Sequence, residues 1–254
     1  LVFLLEEVIL MASRLLRRSG VAVGLVAECL GWRADLVVQV GVGHNHEEVT
    51  VLKEEWPGVE FVGFEPHPHI FASWQLKYPG QLLPYALGAE TKNRVDFFAY
   101  RHHADGSGLY FPDNEPEEKR RDLEKFSVRM STLDQQNLGV LPSLIDKRIL
   151  LWLDCEGNEL NVLRGGEQFI HRVQVVNVEL TSKPLGSGWC KPQDVHDWLA
   201  ERGFWLQWIH TQRISAGQVD GVYVREWLFK PEYCCIPQEV QRFQDHKNVD
   251  EVFK

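Results

Sequence analysis

Residues 37–49, VVQVGVGHNHEEV, begin as an unbroken apolar strand, turn through two glycines and two histidines, and enter an acidic run with helical spacing. A strand this apolar has both faces covered, which suits a parallel sheet better than a sheet with one wet face. Gly41 and Gly43 permit sharp backbone turning and close approach of a ligand to main-chain amides. The stretch reads as the first βα unit of an open parallel sheet, whose ligands sit beyond the carboxyl ends of the strands.

Outward from it, the same alternation recurs. Strands are expected at LVVQV (36–40), EFVGFE (60–65), QLLPYAL (81–87), RILLWLD (148–154) and VQVVNVEL (173–180), with helices in HEEVTVLKEEW, PHIFASWQLKY and NELNVLRGGEQFI between them. Pro68 suits the first turn of its helix. After a helix in PQDVHDWLAERG, the runs FWLQWIH and GVYVREWLF, joined by the glycine-bearing TQRISAGQVD, predict an antiparallel pair closing one edge. Arg101 to Lys125, with its polar and proline-bearing DNEPEEKRRDLEK, is expected to be a mobile loop or lid with a short helix.

The opening run carries Leu5, Val8, Ile9, Ala12, Leu15 and Leu16 at helical spacing, which predicts an amphipathic docking helix and a possible homodimer through it. Glu6, Glu7 and Arg14 interrupt that run short of the roughly 20 apolar residues of a membrane span. The expected organisation is an N-terminal helical extension (1–34), a Rossmann-like domain (35–230) and a C-terminal tail (231–254).

With 254 residues and 44% hydrophobic composition, the chain suits one domain with a full core. Its net charge of -9 opposes the basic footprint of a nucleic-acid binder, so none is expected as partner. Five cysteines without a CxxC pair favour a reduced, cytoplasmic setting.

The second strand ends at Glu65, 22 residues beyond Gly43, near the spacing at which an acidic residue meets a ribose diol. A carboxylate can accept from both hydroxyls at once. A nicotinamide dinucleotide would share that spacing, but His46 stands where the third glycine of G-x-G-x-x-G lets a helix carry pyrophosphate. An adenosine ligand without pyrophosphate fits better, and S-adenosylmethionine, with S-adenosylhomocysteine as product, is the obvious one.

At this point the chain resembles the FkbM family of S-adenosylmethionine-dependent methyltransferases, through VVQVGVGHN, FVGFEPHP, PYALG, STLD, LLWLDCEGNELNVLRGG and VVNVEL in that order. The resemblance implies a class I methyltransferase fold: a Rossmann-like, mostly parallel seven-stranded sheet with helices on both faces, whose last two strands form the antiparallel hairpin. It implies that Gly41, Gly43, His44 and Asn45 hold the methionine end, that Glu65 and Pro66 meet the ribose, and that Ala86 and Leu87 lie near adenine. Asp154 and Glu156 would face the reaction centre. The family's usual acidic residue is replaced by Gln39, which could still accept from the ligand's ammonium, though less strongly without a charge.

Methyl transfer to an alcohol needs alignment and removal of one proton. Asp154, expected at a buried strand end, could be that base, or could orient the ammonium or cap the following helix. Glu156 and Glu179 are further candidates. His102, His103 and Ser107, the last in GSGLYF, are placed as acceptor contacts, and TSKPLGSGW is suited to shaping the acceptor pocket. His44, His46, His67, His69, His102 and His103 have metal-ligand chemistry but no dedicated spacing, so no metal is expected. The reading is methyl transfer to oxygen on a small hydroxylated acceptor, a sugar or natural-product scaffold. A nicotinamide-dependent oxidoreductase and a noncatalytic adenosyl-binding module are the rivals.

Overall fold

The computed structural model describes residues 30–43, 47–101, 106–136, 146–210 and 217–230. The opening helix, the C-terminal tail, and His44, Asn45, His46, His102 and His103 lie outside the described residues.

In chain order the elements are β1 (Leu36–Val40), α1 (Glu47–Glu55), β2 (Glu60–Phe64), α2 (Pro68–Trp74), β3 (Gln81–Leu83), β4 (Tyr85–Leu87), β5 (Lys92–Tyr100), β6 (Leu123–Ser131), β7 (Ile149–Leu153), α3 (Glu159–Arg164), β8 (Val173–Thr181), α4 (Pro192–Glu201), β9 (Phe204–His210) and β10 (Gln218–Arg225). Seven strands form one sheet in the order β3-β2-β1-β7-β8-β10-β9. All neighbours are parallel up to β8, and β10 runs antiparallel to both β8 and β9. The expected closing hairpin is therefore present, at the sheet's edge.

Every residue of β1 and of β7 is buried, as continuous apolar runs between two layers require. Successive side chains alternate between the faces. Val38, Val40, Leu151 and Leu153 join Leu160, Leu163, Val195 and Trp198 of α3 and α4 in one core. Val37, Leu150 and Trp152 join Val49 and Leu52 of α1, with Trp32 and Trp56, in the other. Helices thus cover both faces, and the two tryptophan rings meet edge to face at 6.3 Å.

Two expectations change. The run QLLPYAL is two strands rather than one: Pro84 has no N–H to donate, and the chain leaves the main sheet there. β4 instead pairs with β6, which pairs with β5, in a second, three-stranded sheet that the sequence reading did not anticipate. The segment expected to be a lid from Arg101 to Lys125 is also smaller, because residues 123–125 already belong to β6. Its described part is tied down. Phe98 and Gly108 exchange backbone hydrogen bonds, Asn114 N donates to Leu185 O, and a short 3-10 turn spans Lys119–Asp122.

The quoted motifs are ties between these layers. Asp134 of STLD accepts from the Gln168 and Phe169 amides. Gly165 of LRGG abuts the Gly88 carbonyl, where a β-carbon would overlap it. Gly88 N in turn donates to Ser131 O.

Candidate active site

The strand order reverses between β1 and β7, and their carboxyl ends open the crevice where such sheets bind ligands. Gly41 leaves β1 with φ +80°. A β-carbon there would overlap the Asp154 carbonyl oxygen, so the β1 and β7 exits touch through backbone alone. Gly43 sits at φ +58°, and among the described residues, its chain neighbours aside, no atom comes within 4 Å of its β-carbon position, so open space lies there.

Glu65, buried at the end of β2, holds this turn. Its Oε2 accepts from Val42 N (3.1 Å) and Gly43 N (2.9 Å), and its Oε1 accepts from His67 N (2.8 Å). A carboxylate offers about four acceptor sites. Among the described residues three of these sites take amides, which leaves room for one further donor. Burial raises the Glu65 pKa, against the lowering effect of the three amides.

Gln39 is not a surface ligand. It is buried in β1, and its Oε1 accepts from the Tyr78 hydroxyl at 3.1 Å. Gly63, beside it on β2, has no side chain and leaves room for the Tyr78 ring. One acceptor lone pair on a buried amide is a poor seat for an ammonium, and the anionic groups are found elsewhere.

They stand just past the end of β7, at Asp154 and Glu156, and near the end of β8, at Glu179. Asp154, Glu156 and Glu179 bring carboxylate oxygens within 4.8 Å of one another. Asp154 is exposed, contrary to the expected buried strand end, while Glu179 is 7% exposed. Burial pushes the Glu179 carboxyl well above the usual carboxylate range, and Asp154 and then Glu156 add to it. Like charges this close cannot all ionise cheaply. Burial and its two neighbours thus favour the neutral form of Glu179, which hydrogen-bonds Asp154. Thr181 Oγ1 also donates to Glu179 Oε1 at 3.3 Å.

Glu156 sits at φ +54°, a left-handed conformation uncommon for a residue with a side chain. The turn is held from three sides. Glu156 Oε1 accepts from Gly106 N at 2.7 Å. Glu159 Oε1 accepts from Cys155 N and Gly157 N. Gly157 lies against the Trp189 ring, which a β-carbon would overlap.

The two segments expected to shape the acceptor pocket meet above this turn. Ser187 N donates to Asp113 Oδ1, Asn114 Nδ2 donates to Pro184 O, and Gly188 lies against the Tyr110 ring. Ser107 spends its hydroxyl as acceptor for Tyr100 N, 3.3 Å away. Leu87 and Ala86 are buried, Pro66 is half-buried, and Leu87 O accepts from Asn158 Nδ2 at 2.7 Å. His67 caps α2 by accepting from His69 N, and both rings pack on Phe126. His67 and His69 thus serve α2 and the second sheet. Asn158, Asn161 and Tyr110, linked by hydrogen bonds, were not singled out from the sequence, although Asn158 lies inside the CEGNEL motif.

The raised pKa of Glu179 makes a stability prediction with a definite sign. A carboxyl whose folded pKa lies above its unfolded value stabilises the fold below the unfolded pKa, and that stability is lost as pH rises through the folded one. Glu179→Gln removes the titration. Its melting temperature relative to the parent should therefore be higher at about pH 8 than at about pH 4, near the unfolded carboxyl pKa. An equal difference at both pH values would show an ordinary carboxyl.

The topology, a mostly parallel sheet that reverses between β1 and β7, is Rossmann-like. The profile of the methyltransferase FkbM domain matches residues 35–206, well over half of the chain. The chain belongs to the FkbM methyltransferase family. No curated protein matches it significantly.

Solved structures similar to it include a protein of the NADB-Rossmann superfamily from Streptococcus agalactiae, at 11% identity and TM-score 0.34 over 79% of this chain and 67% of that one. The plantazolicin methyltransferase BpumL in complex with SAH is similar at 9% identity and TM-score 0.39 over 79% of each chain. The pyocyanin biosynthetic protein PhzM is similar at 15% identity and TM-score 0.35 over 79% of this chain and 53% of that one. Among the described residues, no helix is long and apolar enough to cross a membrane.

Proposed function

We propose that the chain transfers a methyl group from S-adenosylmethionine to an oxygen of a small hydroxylated acceptor. The observation that carries this is the cluster of Asp154, Glu156 and Glu179 carboxylates beside an open glycine turn. A ligand bearing an ammonium and a sulfonium gains from that field, whereas the pyrophosphate of a nicotinamide dinucleotide would be repelled by it. The donor set also has the oxygen chemistry of a hard divalent cation, but the adjacent glycine turn and Glu65 favour the nucleoside.

In this reading the backbone from Gly41 to Gly43 takes the methionine end, and Glu65 takes one ribose hydroxyl on its remaining acceptor site. S-adenosylmethionine supplies a methyl already activated on a positively charged sulfur, so little covalent help is required. Asp154 receives the proton of the acceptor hydroxyl as the new carbon–oxygen bond forms and the sulfur keeps the electron pair of the bond that breaks. Glu179, protonated, holds Asp154 in place. Glu156, bonded to Gly106, closes the turn toward the acceptor side.

Calorimetric titration tests the cofactor. The full chain should bind S-adenosylmethionine saturably, and Glu65→Gln should weaken it by about tenfold, the scale of one charge-assisted hydrogen bond. Glu65→Ala is the poorer test, since it orphans three buried amides. Affinity unchanged in Glu65→Gln would place the ribose elsewhere. Saturable binding of a nicotinamide dinucleotide in place of S-adenosylmethionine would sink the reading.

A further inference from the structure

A groove of about 930 Å³ is lined in part by Tyr110 and Asn158, which hydrogen-bond each other. One wall is the charged face of the second sheet, with Lys92, Arg94 and Lys125. The opposite wall is Tyr110, Asn158 and Asn161. Leu109, Phe126 and Met130 add apolar surface. Three cations face two carboxylates in the lining, against the -9 of the whole chain.

Those cations are not equivalent. Lys125 pairs with Asp96 at 2.7 Å, and Lys92 pairs with Glu90. Arg94 donates through Nε to Ser127 Oγ at 3.1 Å, and among the described residues it has no carboxylate within ion-pair distance. Its terminal nitrogens therefore offer a planar pair of donors, the shape that matches a carboxylate. Across the groove, the Tyr110 hydroxyl and the two asparagine amides already hydrogen-bond one another in a chain of donors and acceptors. Such a surface suits a polyol.

The wall is shared with the reaction centre. Residues 106–110 run from the Glu156 carboxylate, which accepts from Gly106 N, to the groove, which Leu109 and Tyr110 line. Asn158 follows Glu156 by two residues and also lines it. A ligand held in the groove lies against the loop that carries the proposed base.

We propose that this groove anchors the acceptor, and that the acceptor is a hydroxylated carboxylate whose acid group pairs with Arg94 and whose hydroxyls meet Tyr110, Asn158 and Asn161. The assignment rests on the methyltransferase reading above and narrows its acceptor from any hydroxylated molecule to an anionic one.

The test is a set of calorimetric titrations on the full chain saturated with S-adenosylhomocysteine. The probes are sodium glucuronate, neutral methyl glucoside and inorganic phosphate. Glucuronate should bind saturably in the millimolar range, and methyl glucoside at least tenfold more weakly. Arg94→Gln should weaken glucuronate by about tenfold, while S-adenosylhomocysteine binding serves as the control. Arg94 is exposed, so this variant should fold. Glucuronate binding that is absent, or equal in Arg94→Gln, overturns the anchor alone. Phosphate binding as tight as glucuronate and as sensitive to Arg94→Gln overturns the carboxylate assignment in favour of a phosphorylated acceptor. Failure of the parent chain to bind S-adenosylhomocysteine overturns the reading of the site, and the anchor with it.

Discussion

Asp154→Asn should lower the single-turnover rate at saturating S-adenosylmethionine by roughly 100-fold to 10,000-fold, the usual contribution of a positioned base. The substitution keeps size and an oxygen that can still accept from Glu179, but it removes the proton acceptor. Cofactor affinity should fall far less than the rate, by no more than the loss of one charge from the carboxylate field. If Asp154 anchors the ammonium instead, affinity falls first and saturating cofactor restores much of the rate. The exposure of Asp154 supports the first outcome, because a base must reach a proton that arrives with the acceptor. Rapid-quench measurement on one variant, with an acceptor in hand, separates the two. A normal rate at saturation would move the role to Glu156.

The second large effect is on the fold, at Gly41. Gly41→Ala should destabilise the chain by about 3 kcal/mol or more, since two costs coincide: a left-handed backbone and overpacking against a neighbouring main chain that cannot rotate away. Gly43→Ala carries the first cost alone, about 1 kcal/mol, because its β-carbon would point into open space. Urea unfolding of both variants checks the contrast. Equal losses would mean that the β1 and β7 exits are not in backbone contact. The two glycines, alike in sequence, thus do different work: Gly41 lets two strands meet, and Gly43 leaves space for a ligand.

What could be read from the sequence was what local pattern carries. The apolar runs of β1 and β7, the turn at Gly41 and the terminal hairpin each announce themselves within a few residues. β5 and β6 did not, because their alternation of Val95, Phe97 and Ala99, and of Phe126, Val128 and Met130, is interleaved with charged residues on a solvent-facing side. Pro84 does carry a local signal, a missing donor inside an apparent strand.

The site was legible in part for the same reason. Glu65 and Asp154 stand out in the sequence by their places at the ends of apolar runs. That Glu65 is occupied by three amides depends on where Val42, Gly43 and His67 come to rest. The partnership of Glu179 with Asp154 depends on β7 and β8 lying side by side. Gln39 was read as a weakened ligand contact, yet its partner is Tyr78, 39 residues away. Pairings across the fold leave no periodicity for a sequence reading to detect.

The clasp between residues 106–114 and 184–188 has a consequence for anyone redesigning what the chain accepts. The two segments are far apart in sequence but share one backbone hydrogen bond, two side-chain-to-backbone hydrogen bonds and a glycine pressed against a tyrosine ring. Neither can be exchanged alone without stranding the other's partners. The two segments form a two-part cassette, and a graft from a relative has to carry both halves together with Gly157, whose lack of a β-carbon makes room for the Trp189 ring.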